Sequence, residues 1–297
     1  MEEMEFTEKL KYYQKMINSK LEEYFIDDKS PEKLLRESMR YSLLAGGKRL
    51  RPILLISSYL LFKHNYEECM PFAIALEMVH NFSLIHDDLP SIDNDDFRHN
   101  KPTNHKVYGD STALLAGDGL LNYAYIIMSE QIIKNDVNIS SKIRVFNEIS
   151  KSIDRMIVGE YVDTYYENKS ISEDFLDYMH INKTGALIEY PVRAGAILAG
   201  ATEEDIENLS IYARNIGLAF QIKDDILAEI GDEKILGKPV GNDRKMKKST
   251  YVTKYGLEKA SEILEDTTKE AVSVLSKYGD KGEFLKELAI YIKDRQK

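Results

Sequence analysis

Long stretches without proline constrain what this chain can fold into. Residues 103–190 and 240–297 contain no proline and are rich in Leu, Ile, Glu, Lys and Ala, which favour long helices. Ser30-Pro31 places a capping residue before a proline, as at a helix start. The chain shows no sustained period-two alternation and no Asn-Gly hairpin sequence. These features predict an all-α protein, folded as one large helical bundle.

Composition excludes several function classes. The chain has 40 Lys and Arg against 50 Asp and Glu, a net charge of −10, which argues against a nucleic-acid partner. Its single cysteine, Cys69, allows no internal disulfide and fits a reducing compartment. No stretch approaches a signal peptide or the roughly 20 apolar residues of a membrane span. We expect a soluble, cytoplasmic protein without a membrane partner. Because no linker or repeat divides it, we predict a single domain over residues 1–297.

A basic segment, GGKRLRP, occupies residues 46–52. Glycines end the preceding helix pattern, and Lys48, Arg49 and Arg51 are expected to project from a loop closed by Pro52. Arginine offers a planar fork of donors and lysine a compact charge, which together suit a phosphate or diphosphate. A solvated basic loop at a helix end, favoured by the helix dipole, is the alternative. This segment alone does not decide between them.

The first acidic cluster is HDDLPSIDNDD at residues 86–96. An apolar segment that predicts a buried helix leads directly into Asp87 and Asp88, and Asp93 follows shortly after. Carboxylate oxygens are the ligands that Mg²⁺ prefers. An EF-hand is excluded, because counting from Asp93 the position that requires glycine holds Arg98. A solvated acidic loop would not explain why the acids follow a buried helix.

The second acidic cluster is QIKDDILAE at residues 221–229. Asp224 and Asp225 again follow an apolar helical pattern, and Asp225 shares a helix face with Glu229. One acidic pair on a helix is weak support for a metal site. Two such clusters, each followed by basic residues, predict a shared site for hard metal ions and an anionic substrate.

Taken together, these motifs resemble those of trans-isoprenyl diphosphate synthases, the polyprenyl synthetase family. The matching segments follow the family's order over roughly residues 40–255: GGKRLRP, DDLPSIDNDDFRHNKPTNHKVYGD, KTGALIE, FQIKDDIL, LGKPVGND and KKSTY. The resemblance implies an isoprenoid-synthase-type bundle around a central substrate cavity. It also implies a cluster of about three Mg²⁺ ions, or Mn²⁺ in their place, between substrate diphosphate and aspartates. The matching aspartates are Asp87, Asp88, Asp93, Asp224 and Asp225.

The resemblance also assigns substrate contacts. Positions that hold the leaving diphosphate of the allylic substrate are matched by Arg98, Lys183, Lys238 and Lys248. Positions in the pocket for isopentenyl diphosphate are matched by Lys48, Arg51 and His80, although a histidine in this setting is more often a core residue. Oxygens of Thr184 and Gln221, with the Lys183 carbonyl, match those that face the developing allylic cation. The predicted catalytic residues are therefore Arg98, Lys183, Thr184 and Gln221.

Product length depends on the helix before the first cluster. Phe82 lies five residues before Asp87, about 7–8 Å along a helix. An aromatic residue there resembles a floor that stops growth at fifteen carbons, although Phe82 could also be ordinary core. The sequence thus predicts a Mg²⁺-dependent prenyltransferase that condenses isopentenyl diphosphate with dimethylallyl or geranyl diphosphate to farnesyl diphosphate. A geranylgeranyl diphosphate synthase is the alternative, and the family implies a homodimer.

Four residues depart from the family pattern: His99, Glu160, Lys223 and Ala228. His99 stands where a second arginine usually grips isopentenyl diphosphate, so affinity for that substrate should fall. Ala228 replaces an acid of the second cluster, and Glu160 replaces a glutamine. A catalytically weak regulatory subunit of a prenyl synthase is therefore a second hypothesis. A terpene cyclase is a third, but it would not need GGKRLRP.

Overall fold

The computed structural model describes residues 4–24, 30–134, 138–166, 175, 178–179, 181–230 and 250–296. Most of these residues are helical, which confirms the predicted all-α class. The α-helices are α1 Phe6–Glu23, α2 Lys33–Leu43, α3 Leu50–Leu60, α4 Met70–Asp87, α5 Asn104–Tyr108, α6 Asp110–Ile133, α7 Ile139–Tyr166, α8 Ala186–Leu198, α9 Glu203–Ile230, α10 Tyr251–Tyr255, α11 Leu257–Val274 and α12 Glu283–Asp294. A π-helical turn covers Ile181–Gly185 and a 3₁₀ segment Leu275–Gly282. No described helix has both the length and the apolar character needed to cross a membrane.

The chain divides into two compact units. The first comprises Met1–Ile56 and Asn65–Phe146, and the second Ser57–His64 and Asn147–Lys297. The single domain expected over the whole chain stays a prediction.

Helix α4 forms the centre of the first unit. It starts with a proline in its first turn and is apolar on nearly all sides, so most of its residues are buried. Its main partner is α6. Small residues of α6 allow this close packing: a Cβ added at Gly117 would overlap the ring of His86 on α4. The helix that leads into the first acidic cluster is therefore packed closely against α6.

Helix α9 has the corresponding place in the second unit. It packs mainly on α8 and α11, with one apolar stripe buried along most of its length. The buried Tyr212 hydroxyl donates to the carbonyl of Leu285 at 2.8 Å, which ties α9 to α12. The second acidic cluster thus lies in the last turns of a firmly packed helix.

A short hairpin in the first unit departs from the sequence expectation. Strands β1 (Phe97–Arg98) and β2 (Lys101–Pro102) pair antiparallel. His99 and Asn100 join them with φ values of 50° and 61°. Positive φ at both central residues is the type I′ geometry that two-residue hairpins prefer. The expected Asn-Gly signal is absent because His-Asn here adopts the conformation that Asn-Gly usually supplies.

Two prolines lie inside helices. Pro52 lies in the first turn of α3 instead of closing the basic loop, because the missing amide proton costs nothing there. Pro191 lies inside α8. Tertiary packing thus overrides the local preference of proline at residue 191.

Candidate active site

The residues of the basic loop before α3 differ in how far they are exposed. Arg49 is only 3% exposed and has a φ of 52°. Its guanidinium donates to Asn18 Oδ1 at 2.8 Å, Glu77 Oε1 at 2.7 Å and the Leu43 carbonyl at 2.7 Å. Arg49 therefore anchors the loop and does not project from it as expected. Lys48 is partly exposed, and its carbonyl accepts from Gln14 on α1 at 3.1 Å.

Arg51 and His80 form a close pair. Arg51 Nη1 lies 3.1 Å from His80 Nε2. A guanidinium only donates, so His80 Nε2 accepts and its proton sits on Nδ1. Burial and the positive charge of Arg51 hold the pKa of His80 well below its usual range, while burial lowers the pKa of Arg51 to about 10. At neutral pH, Arg51 is charged and His80 is neutral.

Two donors of this pair have no hydrogen-bond partner in the part of the chain that the structure describes. Arg51 Nε and His80 Nδ1 are buried and make no hydrogen bond within the described residues. Buried donors are rarely left unsatisfied in native proteins, because their desolvation is costly. An anionic ligand that accepts from both would remove this cost. The predicted pairing of Arg51 and His80 in an anion pocket is consistent with their geometry and stays a prediction.

His99 lies beside the same loop. Its ring comes within 3.5 Å of the position that a Cβ would take at Gly47. Burial, together with the positive charges of Arg98 and Arg49, lowers the pKa of His99. The imidazole is therefore neutral at pH 7 and offers at most one donor.

The first acidic cluster is arranged around the end of α4. Asp87 is the last helical residue, and the Asp93 amide donates to the Asp87 carbonyl at 2.9 Å. This bond folds the loop so that Asp87 and Asp93 lie at the same end of the helix. Asp93 is exposed and Asp87 half-buried.

Asp88 forms an ion pair with Arg98. Its carboxylate, 5% exposed, accepts from Arg98 Nε at 2.9 Å and from Arg98 Nη2 at 2.6 Å. Burial works against the charge of Arg98, but Asp88 outweighs it and raises the Arg98 pKa. The hairpin turn at His99 delivers Arg98 to Asp88, a pairing that the sequence did not indicate.

The acidic residues fit magnesium only in part. Within the described residues no group of three or more His, Cys, Asp or Glu is assembled for a metal ion. Mg²⁺ usually needs only one or two carboxylates and takes its other ligands from water and substrate phosphates. Asp87 and Asp93 supply oxygen donors of that kind. The metal assignment of all five aspartates remains a prediction.

Phe82 is buried below the first cluster, with 6% of its surface exposed. Its ring meets His86 edge to face, with centroids 5.0 Å apart. His86 Nε2 lies 3.0 Å from the Leu114 carbonyl, so this nitrogen carries the proton. The His86 ring packs so closely on Gly117 of α6 that a Cβ at residue 117 would overlap it. Phe82 therefore packs on a ring whose position is restricted.

In the second unit, the π-helical turn that carries Lys183 and Thr184 packs directly on α7. A Cβ added at Gly159 would overlap the Lys183 backbone nitrogen and lie 2.9 Å from the Asn182 carbonyl carbon. Arg155 Nε donates to Asn182 Oδ1 at 3.0 Å from the same helix. Short π-helical segments frequently mark functional sites. Gly159 and Arg155 were not found from the sequence, where no local signal marks them.

Lys183 pairs with two carboxylates of α7. Its Nζ lies 2.8 Å from Glu160 Oε2 and 2.5 Å from Asp163 Oδ2. Burial alone would lower the pKa of Lys183, but the two carboxylates outweigh it and raise the pKa. Glu160, noted as a departure from the family pattern, therefore acts on a predicted catalytic lysine. Asp163 was missed, although VGEYVD contains both acids at helical spacing.

A chain of hydrogen bonds joins the π turn to the second cluster. Thr184 Oγ1 donates to Gln221 Oε1 at 3.4 Å. Gln221 Nε2 donates to Asp225 Oδ1 at 3.1 Å. Asp225 Oδ2 accepts the Tyr251 amide at 2.8 Å. The predicted neighbours Thr184 and Gln221 are thus brought together, and Asp225 is buried behind them.

Asp224 faces a residue from the C-terminal end of the chain. Arg295 Nη2 donates to Asp224 Oδ1 at 2.8 Å and to the Phe220 carbonyl at 2.9 Å. The Arg295 guanidinium also lies over the Phe220 ring, 3.9 Å from its centroid. Arg295 was not identified as a site residue from the sequence. The predicted diphosphate ligands Lys238 and Lys248 lie outside the described residues.

The fold and these side chains define a class of protein: an all-α protein with carboxylates near helix ends and with arginine and lysine side chains close to them. The family model "Polyprenyl synthetase" matches residues 32–288. The chain belongs to the polyprenyl synthetase family.

Relatives and solved structures agree. The chain is 46% identical to a geranylgeranyl diphosphate synthase of Cyanophora paradoxa over 80% of each chain. It is 43% identical to a farnesyl diphosphate synthase of Geobacillus stearothermophilus over 84% of each chain. A crystal structure of an FPP/GFPP synthase from Zymomonas mobilis matches with a TM-score of 0.87 and 32% identity, covering 97% of this chain and 98% of the other.

We expect the variant Glu160→Gln to bind inorganic diphosphate more tightly, by about three- to tenfold. The variant removes one of the two carboxylates that compete with a diphosphate for Lys183, while Asp163 still holds the lysine in place. Isothermal titration calorimetry with Mg²⁺ present measures the affinity. Glu148→Gln serves as the matched control. Glu148 lies on the same helix as Glu160, and it is paired with Arg193 of α8. An affinity no better than that of the control would contradict the expectation.

Proposed function

We propose that this protein is a Mg²⁺-dependent prenyltransferase that makes farnesyl diphosphate from isopentenyl diphosphate and dimethylallyl or geranyl diphosphate. The observation that carries the proposal is the contact between Thr184 Oγ1, next to Lys183 on the π-helical turn, and Gln221 Oε1 on α9. The substrate of this reaction separates into an allylic cation and a diphosphate. The neutral oxygens of Thr184 and Gln221 suit the allylic cation, and the charge of Lys183 suits the diphosphate. The membership in the polyprenyl synthetase family supports the same reaction.

In the second unit, Lys183 binds the departing diphosphate and opposes its growing negative charge. The Thr184 hydroxyl and the Gln221 carbonyl turn the negative ends of their dipoles toward the allylic carbon as the C–O bond breaks. Mg²⁺, when bound to the aspartates, would neutralise the leaving group further.

In the first unit, Arg51 and His80 hold the diphosphate of isopentenyl diphosphate through the two donors that have no hydrogen-bond partner among the described residues. The double bond of that substrate attacks the allylic carbon, and a new C–C bond forms. The proton lost from the resulting cation passes to the released diphosphate, so no side-chain base is required.

We favour a product of fifteen carbons, because the buried ring of Phe82 lies on the helix that leads into the first acidic cluster. Relatives named as farnesyl and as geranylgeranyl diphosphate synthases match this chain to a similar degree. A geranylgeranyl product is therefore the second candidate. The homodimer, the cytoplasmic location and the choice of Mg²⁺ over Mn²⁺ stay predictions.

The direct test incubates purified protein with Mg²⁺, isopentenyl diphosphate and dimethylallyl diphosphate, and sizes the dephosphorylated products by chromatography. We expect a fifteen-carbon alcohol, and loss of product when EDTA removes the metal. A twenty-carbon product would replace the proposal by the second candidate. Absence of product with either allylic substrate would favour the regulatory-subunit hypothesis.

Phe82→Ala should shift the products beyond fifteen carbons. The substitution removes a ring that rests on His86, and the space it leaves is open to a growing chain. Leu84→Ala is the control, since this residue lies on a different side of α4 and also loses an apolar side chain. Identical product distributions for Phe82→Ala and the control would rule out a role of Phe82 in chain length.

His99→Arg should lower the KM for isopentenyl diphosphate about five- to tenfold at pH 7. The wild-type imidazole is neutral there because its pKa is lowered, whereas arginine supplies a permanent charge worth about 1 kcal/mol at a partly exposed site. Asn100→Arg is the matched control, because it places the same charge at the other positive-φ residue of the turn. An unchanged or higher KM for His99→Arg would contradict the role of position 99.

A further inference from the structure

The carboxylate of Asp225 is buried, with 6% of the residue exposed, and both of its oxygens accept hydrogen bonds. Oδ1 accepts from the Gln221 amide at 3.1 Å, and Oδ2 accepts from the Tyr251 backbone at 2.8 Å. Both partners belong to the same unit as Asp225. Its neighbour Asp224 has a side chain that is 46% exposed. The two adjacent acids therefore have different surroundings.

The charge of Asp225 decides which way the Gln221 amide points. The two ends of a glutamine amide have nearly the same shape, so packing alone hardly distinguishes them. A carboxylate only accepts hydrogen bonds, so the NH₂ end must face Asp225. The Oε1 end then faces the opposite side, where Thr184 donates to it.

The position of the carboxylate is itself fixed from the other side. The Tyr251 amide that binds Oδ2 belongs to the first residue of α10. Thr250 and Thr253 hold that helix start in a capping box, with Thr253 N donating to Thr250 Oγ1 at 3.1 Å and Thr250 N donating to Thr253 Oγ1 at 2.8 Å. One oxygen of Asp225 is thus tied to a fixed backbone donor, which leaves the other directed at Gln221.

We propose that Asp225 is a positioning residue that orients the Gln221 amide so that its oxygen faces the developing allylic cation, and that it does not bind metal. The inference rests on the proposed prenyl transfer. With the amide reversed, an NH₂ group carrying partial positive charge would face the cation, which would raise the barrier to ionisation. Substrate diphosphates contact other residues, so their binding would be little affected.

The variant Asp225→Asn tests the orientation. Its Oδ1 must accept the Tyr251 amide, so its NH₂ group faces Gln221 and the Gln221 amide turns round. We expect kcat to fall about 10- to 100-fold. Both KM values and the Mg²⁺ concentration for half-maximal rate should stay within about twofold of the wild type. A several-fold rise in the Mg²⁺ requirement would show instead that Asp225 binds metal.

A charge exchange supplies the decisive control. In the double variant Asp225→Asn/Gln221→Glu the net charge is unchanged, and the new glutamate accepts from the new asparagine. Its second carboxylate oxygen then faces Thr184, as Gln221 Oε1 does now. We expect kcat to recover at least about fivefold over Asp225→Asn alone. A double variant no faster than the single one would overturn the proposal, because a metal ligand or a purely structural acid gains nothing from the exchange.

A spectroscopic measurement separates this proposal from the proposed function. In ¹⁵N-labelled protein, the side-chain amide signal of Gln221 is identified by its loss in Gln221→Glu. We expect that signal to shift in Asp225→Asn, as the NH₂ group loses its carboxylate acceptor, with or without prenyl product in the assay. An unshifted signal would contradict the orientation by Asp225 even if the protein proves to be a prenyltransferase.

Discussion

The contact between Gly159 and the π-helical turn is the constraint on which the candidate chemistry of the second unit depends. Any side chain at residue 159 would overlap the backbone of Lys183. The absence of a Cβ lets α7 support the turn directly, and the same helix carries Glu160 and Asp163 to the lysine. Backbone position and charge are therefore set by one helix, which is how a turn with unusual hydrogen bonding keeps a defined geometry.

Two of the cations predicted to bind diphosphate, Arg98 and Lys183, are paired with carboxylates. Arg98 binds Asp88, and Lys183 binds Glu160 and Asp163. A partly buried charge without a partner would be costly, so each pair keeps its cation charged and oriented. A diphosphate that binds as proposed would exchange one anionic partner for another, and only the difference between the two would contribute to affinity. A net charge of −10 is therefore compatible with the proposed anionic substrates.

The sequence predicted the helical class and the elements that carry the acids, because these depend on local patterns along the chain. It did not predict the partners of those acids. The Asp88–Arg98 pair depends on the left-handed conformation of His99, and the burial of Arg49 depends on its own positive φ and on Glu77 from α4. Such pairings join residues ten or more positions apart, and no helical or strand period links them.

The helix geometry of α9 indicates on which side of the helix an acid is missing at Ala228. Residues four apart share a face, so residue 228 lies on the side of Asp224, while Glu229 lies on the side of Asp225. Asp224 is half exposed and bound to Arg295, whereas Asp225 is buried and engaged by Gln221 and Tyr251. An acid lost at residue 228 is therefore lost from the side of Asp224, and Glu229 does not replace it there. Metal binding by this cluster would depend on Asp224, whose Oδ1 accepts a hydrogen bond from the guanidinium of Arg295.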